Sequence, residues 1–131
     1  MNTYHVGDSN RQITIAADID TFGLAASRAI VLDLQIEESA TTVGTSVDAT
    51  GDISPRDIGS AFLLAGKRLS VVTKIDLLGS EQDRQREADR LNGRYMVDNG
   101  ADGLRIFIDP EKVFSDDGKT VILFFVIDLI R

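Results

Sequence analysis

Thr120 to Ile130 reads TVILFFVIDLI, entered through Ser115-Asp116-Asp117-Gly118-Lys119 and followed by Arg131. Asp-Asp-Gly ahead of an apolar run predicts a tight turn feeding a strand, because glycine adopts positive φ without steric penalty and aspartate tolerates it. In that strand Val121, Leu123, Phe125, Ile127 and Leu129 line one face, and Ile122, Phe124 and Val126 line the other. Apolar residues on both faces predict a central strand with both sides largely buried.

Working outward from this segment, other stretches repeat the two-residue period. Ile13, Ile15, Ala17 and Ile19 alternate with Thr14, Ala16, Asp18 and Asp20, as in a strand with one wet face. Ile30, Leu32, Leu34 and Ile36 oppose Val31, Asp33, Gln35 and Glu37, and Leu69, Val71, Thr73, Ile75 and Leu77 oppose Ser70, Val72, Lys74 and Asp76. Leu104, Ile106 and Ile108 oppose Arg105, Phe107 and Asp109. Val43, Thr45 and Val47 form a more polar version suited to an edge, and Arg94 to Val97 adds a seventh strand to these six.

Two segments carry helix signals. Ser54-Pro55-Arg56-Asp57 offers an N-cap hydroxyl, a proline at the first helical position and an acid near the free amides. A helix over 55–65 would place Ile58, Ala61, Phe62 and Ala65 on one face. Gly59 and Ser60 weaken it, and the competing reading is one turn at 55–59, then a short strand from Ala61 to Ala65 turning through Gly66-Lys67. Ser80 to Leu91 reads SEQDRQREADRL, with Ser80 and Asp83 at capping-box spacing and Asp83/Arg86 and Glu87/Arg90 at i,i+3. Only Ala88 and Leu91 are apolar there, so 81–91 is a solvated surface element, a helix ended by Asn92-Gly93 or, with extended flanks, a hairpin turning at that pair.

Connection lengths decide between sheet types. Ten residues separate Asp109 from Thr120 and five separate Glu37 from Val43, too few for a parallel crossover of a dozen or more. The expectation is a mainly β, antiparallel two-sheet β-sandwich of six to seven strands with one or two short helices. The alternative is an α/β layered fold using 55–65 and 81–91 as crossovers.

At 131 residues the chain suits a single globular domain, with residues 1–10 expected to be mobile. MNTYHVGDSNRQ has no basic segment followed by an apolar one, so it does not read as a signal peptide, and a cytoplasmic location is the default expectation. The C-terminal apolar run of eleven residues contains Asp128 and is too short for a membrane helix. The formal charge of −7, from 21 acidic and 14 basic residues, disfavours nucleic acid and anionic membranes as partners.

The inventory excludes much chemistry. There is no cysteine, so no disulfide or thiolate site. His5 is the sole histidine, which rules out a zinc site from one chain and leaves a Ser-His-Asp triad dependent on the N-terminus. No glycine-rich phosphate loop occurs. Carboxylates remain. Asp98, Asn99 and Asp102 in VDNGADG, and Asp18 and Asp20 at a strand end, are candidate Ca²⁺ ligands, since calcium takes six to eight oxygens in forgiving geometry. The competing explanation is that Asp, Asn and Gly serve there as turn formers. A carboxylate-based hydrolase would draw on Asp18, Asp20, Asp98 and Asp102, with Asp76 and Asp128 as further strand-borne acids. With no Trp, and Phe22 and Phe114 the only phenylalanines in expected loops, stacking platforms for sugars are scarce.

The leading expectation is therefore a non-catalytic interaction or structural module, an assembly subunit that meets a protein partner or a second copy of itself. The alternatives are a carboxylate- or metal-dependent hydrolase, and a calcium-dependent or small-ligand binding domain.

Overall fold

The computed structural model describes residues 2–35 and 39–131. Its strands are β1 (Asn2–His5), β2 (Gln12–Asp20), β3 (Leu24–Asp33), β4 (Ala40–Thr45), β5 (Ile53–Ser60), β6 (Lys67–Asp76), β7 (Asn92–Asp98), β8 (Arg105–Phe107), β9 (Glu111–Phe114) and β10 (Thr120–Ile130). A short helical turn, α1 (Ala61–Leu64), precedes β6, and α2 (Glu81–Arg90) links β6 to β7. One sheet runs β1-β10-β6-β3-β4, with β9 also paired to β10; the second runs β5-β2-β7-β8. Among the described residues the protein is mainly β, with two sheets, ten strands and two short helices, as in a β-sandwich.

β10 lies inside its sheet as expected, but only one of its faces is buried: Ile122, Phe124 and Val126 keep partial exposure because the second sheet covers the other side. The strand pairs antiparallel with β6 from Thr120↔Asp76 to Asp128↔Arg68, and its other edge carries β9 at one end and β1 at the other. The β9–β10 turn forms at Asp-Asp-Gly, where Gly118 has φ +69° and its amide donates to the Ser115 carbonyl. Val121, Leu123, Phe125, Ile127 and Leu129 are all 0–2% exposed. They meet Ile13, Ile15, Tyr95 and Val97 of the second sheet in one core. The Tyr95 and Phe125 rings, one from each sheet, stack with centroids 4.3 Å apart and planes 4° from parallel.

Three strands lie outside the sequence expectation. Asn2–His5 is β1, running parallel to Ile127–Ile130, with Tyr4 and Val6 fully buried. The edge of β10 at Ile127–Ile130 supplies the backbone partners of Asn2–His5. Ile53–Ser60 is strand β5, not a turn or helix, and Ala61–Leu64 is helical rather than extended. Pro55 fits because β5 is an edge, bonded only to β2, where a missing amide hydrogen leaves no ladder bond unmade. Glu111–Phe114 forms β9. α2 matches its expected span and carries the full capping box, with Asp83 N donating to Ser80 Oγ at 3.2 Å and Ser80 N to Asp83 Oδ2 at 3.2 Å.

Two strands have the expected period but the opposite facing. In β3 the inward residues are Ala25, Ser27, Ala29 and Val31, while Ile30 and Leu32 point outward and keep partial exposure. Small residues are required inward here. Gly51 approaches so closely that a Cβ on it would lie 2.8 Å from the Ala25 methyl, and buried Ser27 Oγ hydrogen-bonds Thr73 Oγ1 at 2.7 Å. In β8, Phe107 turns inward to pack 5.5 Å from Phe125, leaving Leu104, Ile106 and Ile108 more than half exposed. Ile36 and Glu37 lie outside the described residues.

Candidate functional site

The acidic residues proposed as calcium ligands or hydrolase groups divide between opposite ends of the second sheet. β2 and β7 are antiparallel, so Asp98 sits opposite Thr14 whereas Asp18 sits opposite Arg94 and Asp20 opposite Asn92. Four residues along a strand separate the two groups by about 13 Å, well beyond the span of one ion's ligands. The local bonding explains each acid. Asp98 Oδ1 accepts from Asn99 N at 2.7 Å, and Asn99 takes φ 75°, a left-handed turn position. Asp102 Oδ2 accepts from the His5 amide at 2.8 Å and lies 3.0 Å from His5 Nδ1. These bonds, led by the amide, hold its carboxyl below the ordinary 3.8. Asp18 pairs with Arg94 at 2.8 Å and Asp20 with Arg90 at 3.3 Å.

The loop carrying Asp98, Asn99 and Asp102 works as a clasp on the N-terminal strand. Tyr4 Oη donates to the Gly103 carbonyl and accepts from Gly100 N, while Arg105 donates to the Thr3 carbonyl at 3.0 Å. A Cβ on Gly100 would lie 2.5 Å from the Tyr4 ring, so the close approach needs glycine. Among the described residues, no group of three or more His, Asp or Glu is arranged to hold a metal ion. Of the other strand-borne acids, Asp128 forms a cross-strand ion pair with Arg68, 2.8 Å from Nε, and Asp76 accepts from Thr120 Oγ1 at 3.3 Å.

Two other places concentrate unusual surface. The first is a cleft of about 510 Å³ beside α2, walled by Asp83, Arg86, Glu87 and Arg90 on one side and by Phe22 and Leu78 on the other. The four helix residues follow i, i+3, i+4, i+7, one stripe of the helix. Glu87, 8% exposed, fixes the opposing turn: its Oε1 accepts from Thr21 Oγ1 at 2.8 Å and from Phe22 N at 2.7 Å, and Oε2 accepts from Arg90 Nε at 2.8 Å. Phe22 is thereby held 80% exposed, with the Arg90 guanidinium 4.0 Å above its ring. The sequence offers two signals for this cleft, the loop position of Phe22 and the stripe spacing of 83, 86, 87 and 90. Neither says that the two meet.

The second is the outer face of the first sheet. Alternation along β10, β6 and β3 directs Ile122, Phe124, Val126, Val72, Ile30 and Leu32 away from the core. All six remain partly exposed. Val113 of β9, 45% exposed, lies beside Ile122. Ionic groups on this face balance: Arg28, Arg68 and Lys74 against Asp76, Glu111 and Asp128, three of each sign by register. The molecule as a whole carries −7. The face was half legible, since Ile122, Phe124 and Val126 stand out as a second apolar face of β10; the contribution of Ile30 and Leu32 depends on the facing of β3.

Among the described residues, no helix is long and apolar enough to cross a membrane. Compared with family models, with curated proteins and with solved structures, the chain finds no match in any of the three.

Proposed function

We propose that this protein is a non-catalytic assembly module whose outer β10-β6-β3 face packs against the same face of a second copy. The observation that carries the reading is that face: six apolar residues on three neighbouring strands, with Ser70 between Val126 and Ile30, and balanced charge on a molecule with a net charge of −7. Scattered exposed hydrophobics are ordinary, whereas a contiguous patch marks an interaction site. The dimensions suit a dimer. Taken at their own lengths, β10, β6 and β3 cover about 500 Å² of face, and β1, β9 and β4 beside them bring the sheet to about 700 Å². A standard interface buries about 800 Å² per partner. The local charge balance lets two acidic copies approach here without concentrating their repulsion; a two-fold dimer is the commonest closed oligomer, and two sheets can pack face to face with their strands aligned.

Light scattering tests this. The expected mass is twice the 14.3 kDa of one chain, falling to the single-chain value in Val72→Lys and in Ala26→Arg. Ala26 is exposed on the same face, so Ala26→Arg leaves the core intact. A wild type that stays monomeric, or variants that remain dimeric, overturns the proposal.

A further inference from the structure

We infer that the cleft between α2 and the Thr21-Phe22-Gly23 turn is a binding site for a small planar aromatic anion, such as an aryl carboxylate. This rests on observations separate from the self-association of the sheet face. The volume of about 510 Å³ falls within the range of about 300–1,000 Å³ typical of small-molecule sites. What the cleft has left to offer follows from what its groups already do. Asp83 is engaged by the Ser80 amide in the capping box, and that bond first, with the field of Arg86 as a lesser contribution, holds its carboxyl below the usual range. Glu87 is saturated by Thr21, Phe22 and Arg90. Arg90 is shared between Glu87, Asp20 and the Phe22 ring.

Arg86 differs. Among the described residues it makes no hydrogen bond or ion pair, and it lines the cleft from the same helix stripe. The remaining capacity is thus one guanidinium fork, one largely exposed phenyl ring and the Leu78 side chain. A guanidinium binds a carboxylate bidentately, and a phenyl ring pairs with another ring in an offset or edge arrangement. The ring is also pre-organised. Gly23 N donates to Thr21 Oγ1 at 3.0 Å, and a Cβ on Gly23 would lie 2.6 Å from the Asp76 carbonyl, so the turn has little freedom to fold Phe22 away. Holding a large apolar ring in water with a buried carboxylate makes physical sense if a ligand covers it.

The test is a titration of the isotopically labelled protein with 1-naphthoate, followed by amide chemical shifts. Saturable shifts are expected at residues 21–23, 78–79 and 83–90. Binding should weaken at least tenfold in Arg86→Gln and in Phe22→Ala, and at least tenfold for the neutral 1-naphthamide. Both side chains are exposed, so the variants keep the fold, which unchanged amide shifts in β10 and β6 would confirm. Absence of saturable shifts in this region overturns the inference, as does equal binding by the variants or by the amide.

Discussion

Tyr95 places a hydroxyl where the core has no partner for it. Its ring stacks on Phe125, its side chain is fully buried, and its Oη makes no hydrogen bond among the described residues. Burial alone pushes its ionisation far above the ordinary 10.0. An unsatisfied buried hydroxyl carries a desolvation penalty of about 1–3 kcal/mol. Tyr95→Phe keeps the stacked ring and removes the orphan, so it should leave stability unchanged or raise it by about 1 kcal/mol, read as the urea midpoint. A loss of 2 kcal/mol or more, on the same order as that penalty, would mean that the hydroxyl has a partner. Residue type alone marks Tyr95 as a core contact beside the α2–β7 join. It does not reveal that the polar end is stranded, because that depends on Gly93, whose missing side chain leaves the space that the hydroxyl occupies.

At the scale of elements, alternation was legible and its facing was not. β2 and β6 carry their larger apolar residues inward, so bulk and burial agree there, while β10 is apolar on both faces. β3 breaks that agreement, since Gly51 and the Ser27–Thr73 hydroxyl pair select its small side. Shifting a strand by one residue exchanges its faces, and period alone cannot choose between them. β1 and β5 were missed for related reasons, one being stabilised by a distant edge and the other carrying a proline that suits an edge strand as well as a helix start. The clasp between the 98–104 loop and β1 gives a prediction at this scale. Asp102 has a folded-state pKa below its ordinary 3.8, chiefly through the His5 amide. Its contribution is therefore present above that ordinary value and is lost as pH falls through the depressed folded one. Asp102→Asn should cost about 1 kcal/mol at pH 7, the scale of one hydrogen bond. The deficit should shrink as denaturation is carried out at pH values progressively below 3.8. A deficit independent of pH would show that the carboxylate charge is not what holds the clasp.

For the whole molecule, the two-sheet architecture was readable because short connections and a doubly apolar final strand leave few other arrangements. The candidate sites were readable only in fragments. The acids were visible, but their dispersal along an antiparallel pair depends on register. The cleft at Phe22 joins residues 65 apart in sequence, as the Phe22–Glu87 bond does. The sheet face emerges only when β3, β6 and β10 are set side by side, and the proposed assembly rests on it. Because the chain lacks cysteine, a single spin label can be placed on that face through Lys74→Cys, at an exposed outward position of β6. Mixing labelled chains with isotopically labelled, unmodified chains then reports intermolecular proximity. Two-fold packing through this face predicts strong broadening of amides around Ile30, Val72, Phe124 and Val126 in the unmodified copy. Broadening confined to β5, β2, β7 and β8, or no broadening between copies, would contradict it.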